Sequence, residues 1–240
     1  MSKLFLTHPP TPTPQTTHLS SHEGISCFPL TPLTSPCGRL TLTPLTLADI
    51  PTLYSISHPH EHANNKQDPN VHPYYGGFTY GPFATLDDYT HFIQDRFFAK
   101  PDVVGFVIHT TYEPDGVTLT PSPTRTCASE SDAGGRVIGL IALLSTVPAH
   151  LRTELGHVWY DTRYRGTFVG KAAPATVLHW AFEELGFWRV EWKCMPSNVA
   201  SRRAAVKLGF VYEGTFRKFM VGRAPDRRAV DMDYLAMTDD

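Results

Sequence analysis

Between Glu191 and Gly214 the sequence reads EWKCMPSNVASRRAAVKLGFVYEG. An apolar strand runs through a polar turn into a short helix and straight on into a second strand, with almost no slack. Asn198 and Ser201 stand where a helix start calls for side chains that accept backbone N–H groups. Gly209 then stops the helix, since glycine enters the left-handed C-cap conformation without a steric cost. Such a unit belongs to an α/β domain in which a helix start faces the end of a sheet. In any α/β protein Asn198 and Ser201 serve a helix start for purely structural reasons, so by themselves they carry no function.

The chain has 240 residues, enough for one substantial domain. Lys and Arg number 21 against 23 Asp and Glu, so no general electrostatic pull toward nucleic acid or an acidic membrane exists. Cys27, Cys37, Cys127 and Cys194 show neither CxxC nor metal-ligand spacing. They read as reduced thiols of an intracellular, cytoplasmic protein. The apolar run VIGLIALLSTV is too short for a membrane span, which needs about 18 residues or more. The expected partners therefore include neither nucleic acid nor membrane.

Residues 1–37 are dense in Pro, Thr, Ser and His without periodicity, the composition of a disordered tail. A folded domain is expected over 38–240. GRLTLTPLTLADIPTLYSIS opens it with a strand and an amphipathic helix, and TLDDYTHFIQDRFFA gives a second helix with Thr85 as its cap. VVGFVIHTT and RVIGLIALLSTV read as strands of a hairpin carrying a flexible insertion over 112–135. ELGHVWYD, KAAPATVLHWAFEELGF and RVEWKC add strand, helix and strand. The resulting order is β-α-α-β-β-β-α-β-α-β, a mixed α/β fold. His58, His60 and His62 form an HxHxH pattern, for which a polar loop is preferred to a metal site, and no metal is expected. Cys194 reads as a small buried hydrophobe before a nucleophile, and Glu191 as a member of a cross-strand ion pair.

The runs ELGHVWYD, RGTFVGKAAPATVLHWAFEELGFWRVEWKC and SNVASRRAAVKLGFVYEGTFR together resemble the GNAT superfamily of N-acetyltransferases, and within it the RimJ/RimL-like branch. The resemblance implies a mixed central sheet with flanking helices and splayed fourth and fifth strands. It implies acetyl-CoA as cosubstrate, with the pyrophosphate against the loop Arg165, Gly166, Thr167, Phe168, Val169 and Gly170, where helix-start N–H groups attract phosphate. Phe168 stands where a central glycine is common in the family. Lys171 adds a point charge toward phosphate or is simply solvated. Asn198 is expected to reach the pantetheine arm or to cap its helix, Ser201 to stand near the coenzyme sulfur, and Arg202 to face phosphate or solvent.

The same resemblance places thioester-polarising backbone N–H groups around Val158, Trp159 and Tyr160, provided that strand bulges. Glu154 and His157 become candidates for deprotonating the amine, and Ser201, then Tyr212, for protonating the leaving thiolate. The aromatic segment HPYYGGFTYGPF is expected near the acceptor. The implied activity is acetyl transfer to a primary amine, on a small molecule or a protein N-terminus, by direct attack in a ternary complex of a monomer or homodimer. A GNAT-fold coenzyme A-binding module without catalysis is the alternative, and a longer acyl donor is a third reading.

Overall fold

The computed structural model describes residues 27–58, 72, 74–119, 135–223 and 228–240. Its strands are β1 (Leu33–Thr34), β2 (Leu40–Pro44), β3 (Val104–Thr110), β4 (Arg136–Val147), β5 (Arg152–Tyr160), β6 (Arg189–Cys194), β7 (Val211–Val221) and β8 (Ala229–Thr238). Its helices are α1 (Ile50–Ser57), α2 (Leu86–Ile93), α3 (Val169–His179) and α4 (Val199–Leu208). Wider π turns over Gln94–Phe98 and Trp180–Glu184 prolong α2 and α3. The strands form one sheet in the order β1-β2-β3-β4-β5-β6-β8-β7. Every neighbouring pair is antiparallel except β5 and β6.

Both faces of the sheet's centre are covered, which is why β3 and β4 read as continuous apolar runs rather than alternating ones. On one face Phe106, Ile141, Leu155, Val190 and Trp192 meet α3 through Val169, Ala173 and Val177 and α4 through Ala205. On the other, Val107, Leu140, Ala142 and Trp159 meet α1 through Ile50 and Leu53 and α2 through Tyr89 and Ile93. The Thr85 hydroxyl accepts the Asp88 N–H (3.1 Å) while Asp88 takes the Thr85 N–H (3.2 Å), so α2 starts on a reciprocal cap. Asn198 accepts the Ser201 N–H (3.1 Å) and Gly209 takes the left-handed stop at φ 108°, the helix start and stop expected for α4.

Two strands go beyond the sequence reading. β1 is too short for any periodicity to register, yet it pairs with β2 at Leu33 and Leu42. β8 follows β7 in the chain and inserts between β6 and β7. The expected tail boundary at residue 37 also moves. Phe28 is buried in the core, tilted against Trp180 at 5.9 Å, and the Cys27 N–H reaches the Pro101 carbonyl at 3.1 Å. Compositional bias conceals these anchors, because two apolar residues among prolines and serines show no pattern. The tail over 1–26, the greater part of the insertion over 120–134, and His60 and His62 lie outside the described residues. Among the described residues no helix is long and apolar enough to cross a membrane.

Candidate active site

The parallel pairing of β5 with β6 is brief. Arg152, Thr153 and Glu154 pair with Arg189, Val190 and Glu191, and beyond this point no rung joins the two strands. The sheet is split from Leu155 onward, and the mouth of the split lies between the starts of α3 and α4. At the same place β5 carries the bulge that the family resemblance requires. Ala142 faces Gly156, but Leu140 faces Trp159, so one extra residue is accommodated, with His157 at φ 51°. The extra residue reverses the alternation. Leu155, Val158 and Tyr160 point to the α3–α4 core, while His157 and Trp159 point to the α1–α2 side.

Before α3 the chain turns through Arg165–Gly170. Gly166 has φ 72°, and a side chain added at Gly166 or Gly170 meets only open space. Thr167 donates to the Tyr164 carbonyl (2.7 Å) and accepts the Val169 N–H (3.3 Å). Among the described residues the N–H groups of Gly166, Phe168 and Gly170 donate to no protein acceptor. A helix of this length with exposed first-turn donors and an approach free of side chains at Gly166 and Gly170 suits an anion. Arg165 is exposed, with its guanidinium over the Tyr74 ring at 5.2 Å, and partial desolvation lowers its pKa from the ordinary arginine value.

Phe168 does not block this approach. Its ring turns away to pack beneath the Arg39 guanidinium (5.6 Å) and toward Gly116. Only its backbone faces the loop. Phe168→Gly is accordingly expected to leave coenzyme A affinity within about twofold while costing roughly 2 kcal/mol of stability through lost packing and added backbone freedom. Calorimetric titration and denaturant unfolding of the variant check the two halves separately.

At the start of α4, Ser201 Oγ accepts the Trp192 indole N–H at 2.9 Å and hydrogen-bonds the Cys194 thiol. Cys194 is buried, and desolvation raises its pKa, which makes it a poor nucleophile. Of three neighbouring residues, Asn198 takes the capping role, while Arg202 and Tyr212 depart from their expected ones. Asn198 engages protein through both ends of its amide: Oδ1 caps Ser201, and Nδ2 donates to the Gly77 carbonyl at 3.3 Å. Gly77 permits this approach, since a Cβ there would lie 2.2 Å from Asn198 Nδ2. Arg202 pairs with Asp233 (3.2 Å) and lies over the Tyr212 ring at 4.3 Å rather than facing phosphate. Thr215 donates to Asp233 (2.6 Å), so it accepts from the Tyr212 hydroxyl at 2.7 Å. The Tyr212 proton is therefore committed to a relay ending on Asp233 instead of a leaving thiolate.

His157 also departs from its expected role. The Arg96 Nε–H donates to its Nε2 at 3.0 Å, which fixes the neutral tautomer with the proton on Nδ1, and Nδ1–H donates to the Tyr80 hydroxyl. Phe78, Phe92 and Phe97 surround the ring. Burial, then the Arg96 cation, push its pKa down to about 3, and its one lone pair, on Nε2, is already taken by Arg96, so it is a poor base for an amine. Glu154 remains as a candidate proton acceptor. It shares the face of Leu144, its partner on β4, and its Oε2 accepts from Lys193 at 2.8 Å. Its Oε1 receives no donor among the described residues.

Lys193, which sequence reasoning passed over, also bridges to Glu191 at 3.0 Å, while Arg189 bonds Glu191 at 3.1 Å. Burial opposes ionisation of Glu191, yet the bonds from Lys193 and Arg189 hold its pKa below the ordinary value. The strand alternation of Glu191 and Lys193 beside Glu154 was the available signal for this group.

The segment from Tyr74 to Phe83 forms one wall. Tyr80 stacks on Phe92 at 4.6 Å, and Tyr74 meets Trp159 edge-on at 5.8 Å. His58 anchors the far end by accepting the Phe83 N–H at 3.0 Å, and burial brings its pKa down to about 4. Arg223 closes the near end, donating to the carbonyls of Phe78 (2.6 Å), Tyr75 (2.7 Å) and Gly81 (3.1 Å). No residue adjacent to Arg223 in the sequence signals this clasp.

Comparison with known proteins agrees with this geometry. Residues 39–211 match the family model described as Acetyltransferase (GNAT) domain. Among curated proteins, the Probable N-acetyltransferase YjcK of Bacillus subtilis (strain 168) is 34% identical over 83 residues, 35% of this chain and 46% of that protein. The Uncharacterized N-acetyltransferase YoaA of the same organism is 30% identical over 84 residues, 35% and 47% of the two chains. The aligned part spans about half the length of these relatives. A probable acetyltransferase (GNAT family) from Chromobacterium violaceum ATCC 12472 superposes with a TM-score of 0.67 at 26% identity, covering 95% of this chain and 96% of its own. The fold is also that of Mycobacterium smegmatis RimJ in complex with CoA-disulfide, with a TM-score of 0.58 at 18% identity and coverage of 87% and 86%. The split sheet, the bulged β5 and the matched model together make the chain a member of the GNAT acetyltransferase family.

Proposed function

We propose that the protein is an N-acetyltransferase of RimJ/RimL-like type, transferring the acetyl group of acetyl-CoA to a primary amine by direct attack in a ternary complex. The observation that carries this reading is the split between β5 and β6 beside the open, donor-rich turn at Gly166, Phe168 and Gly170. That turn suits the pyrophosphate, with Lys171 available at its end. The RimJ that shares the fold is described in complex with a coenzyme A disulfide.

In direct transfer the acceptor nitrogen gives up a proton, bonds the acetyl carbon as the C–S bond breaks, and the departing sulfur takes a proton. Glu154 receives the first proton through Oε1. Ser201 assists the sulfur, because its oxygen already accepts from Trp192 and its own hydrogen, shared with the Cys194 thiol, can turn to the departing sulfur. The bulged backbone at Val158, Trp159 and Tyr160 polarises the carbonyl.

Calorimetric titration with acetyl-CoA, followed by coenzyme A release across an amine panel, tests the reading. Selective binding, a confirmed acetylated product and intersecting initial-rate lines are expected; parallel lines with a trapped acetyl-enzyme would refute direct transfer. Ser201→Ala is expected to lower kcat about tenfold with little change in coenzyme affinity. Equal loss in affinity alone would reassign Ser201 to positioning.

The neutral, fully bonded His157 favours a second reading, a coenzyme A-binding module without catalysis. Binding of acetyl-CoA with no product from any amine distinguishes it.

A further inference from the structure

Arg96 occupies the π turn that prolongs α2, a kind of irregularity often retained at functional positions. It is half-buried, on the same side of the sheet as His157 and Glu154. Its Nε–H is spent on His157 Nε2, and among the described residues neither terminal NH2 group donates a hydrogen bond. None of the ion pairs among the described residues includes it.

This arrangement orients the cation without neutralising it. A purely structural arginine in a partly desolvated wall would be paired with a carboxylate, since leaving a charge uncompensated there is costly. Here the orienting partner is an uncharged imidazole, itself wedged among Phe78, Phe92 and Phe97. The terminal nitrogens left over form the planar fork that meets a carboxylate through two parallel hydrogen bonds. Glu154, on the same face, keeps one oxygen for an ammonium or amine. A ligand that complements both is a zwitterion.

We infer that Arg96 binds a carboxylate on the acceptor, and that the acceptor is a small aminocarboxylate such as an amino acid rather than a simple alkylamine. The inference rests on the acetyltransferase reading. The segment Tyr74–Phe83, tied down by Asn198 and Arg223 over His157, favours a small acceptor over a folded protein.

The test compares glycine, β-alanine and γ-aminobutyrate with alkylamines of the same chain length, following coenzyme A release from acetyl-CoA by the full chain. At least one acid is expected to exceed its amine in kcat/KM by about thirtyfold, through KM, as one charge-assisted pair allows. In Arg96→Gln that preference falls to near unity, and in Arg96→Lys to an intermediate value. A second arm titrates the N-acetylated acids and the matching N-alkylacetamides into protein saturated with coenzyme A. It reads Arg96 without turnover: selective binding of the acids that is lost in Arg96→Gln supports the inference even if no amine is acetylated, in which case the activity alone falls. Acetylation of amines and acids alike, a preference unchanged in Arg96→Gln, or no difference between the N-acetylated acids and the acetamides in the titration would overturn it and leave the activity standing or falling on its own data.

Discussion

Lys193→Met is expected to destabilise the fold by about 3 kcal/mol at neutral pH, the cost of removing one partner from a buried ionic group. Lys193 is 14% exposed at its side chain, and its partners Glu154 and Glu191 are 12% and 8% exposed. Without it Glu154 loses its cation partner, while Glu191 keeps Arg189 and the more distant Arg152 at 3.6 Å. The pH dependence follows from the direction of each shift. Glu191 is held below its ordinary value of 4.5, so its contribution is complete above that pH and is lost as pH falls through the depressed folded value. Burial opposes the Lys193 charge, but Glu154 and then Glu191 raise its pKa above the ordinary 10.5, so its contribution is complete below that pH and disappears as pH rises through the raised value. Urea unfolding of wild type and variant should therefore show a full gap between these limits and a closing gap at either side. A gap independent of pH would mean that lost packing of the lysine stem, not charge, is responsible.

Arg223→Ala is expected to release the aromatic wall. The guanidinium donates to three carbonyls of the segment Tyr75–Gly81, two of them at 2.6 and 2.7 Å, and hydrogen bonds from a charged donor contribute roughly 1.5–3 kcal/mol each when fully formed. Partial exposure and replacement by water reduce the net loss to about 2–3 kcal/mol. The readout is local. Amide hydrogen exchange over Tyr74–Phe83 should quicken by up to about a hundredfold, and acceptor kcat/KM should fall through KM, with coenzyme A affinity at the Arg165–Gly170 turn unchanged within about twofold. Unchanged exchange in the variant would show that Asn198 and His58 hold the wall without Arg223.

What was legible in the sequence follows the distance over which each contact acts. The turn Arg165–Gly170, the cap of Asn198 on Ser201 and the stop at Gly209 are local, and local chemistry writes them into adjacent letters. The bonds that reassign residues are remote. Arg96 and His157 are 61 positions apart, Asn198 and Gly77 121, and Arg223 and Tyr75 148. Nothing adjacent to His157 shows that an arginine will occupy its Nε2, so a histidine at the bulge reads as a base. Tyr212 differs for a related reason: its relay through Thr215 to Asp233 depends on the register in which β8 lies beside β7, which the linear order of elements does not fix. The strands were legible where they were long. In β7, apolar residues occupy both faces, and Val211, Phe216, Phe219 and Val221 remain exposed along an edge that Lys218, in a left-handed kink at φ 52°, helps to blunt.

The insertion of β8 between β6 and β7 sets an order of events during synthesis on the ribosome. Antiparallel partners elsewhere in the sheet emerge in sequence and can pair as they appear, but β7 has no neighbour until Ala229–Thr238 has cleared the exit tunnel. The Tyr212 relay, the Arg202 ion pair and the Lys193 contact with Tyr234 all wait on that strand. A nascent chain stalled ahead of Ala229 would thus carry a formed core around β2 to β5 beside an unpaired apolar ribbon, a species that chaperones and proteases can recognise, and the half of the domain built on β6 to β8 would mature only once β8 has emerged.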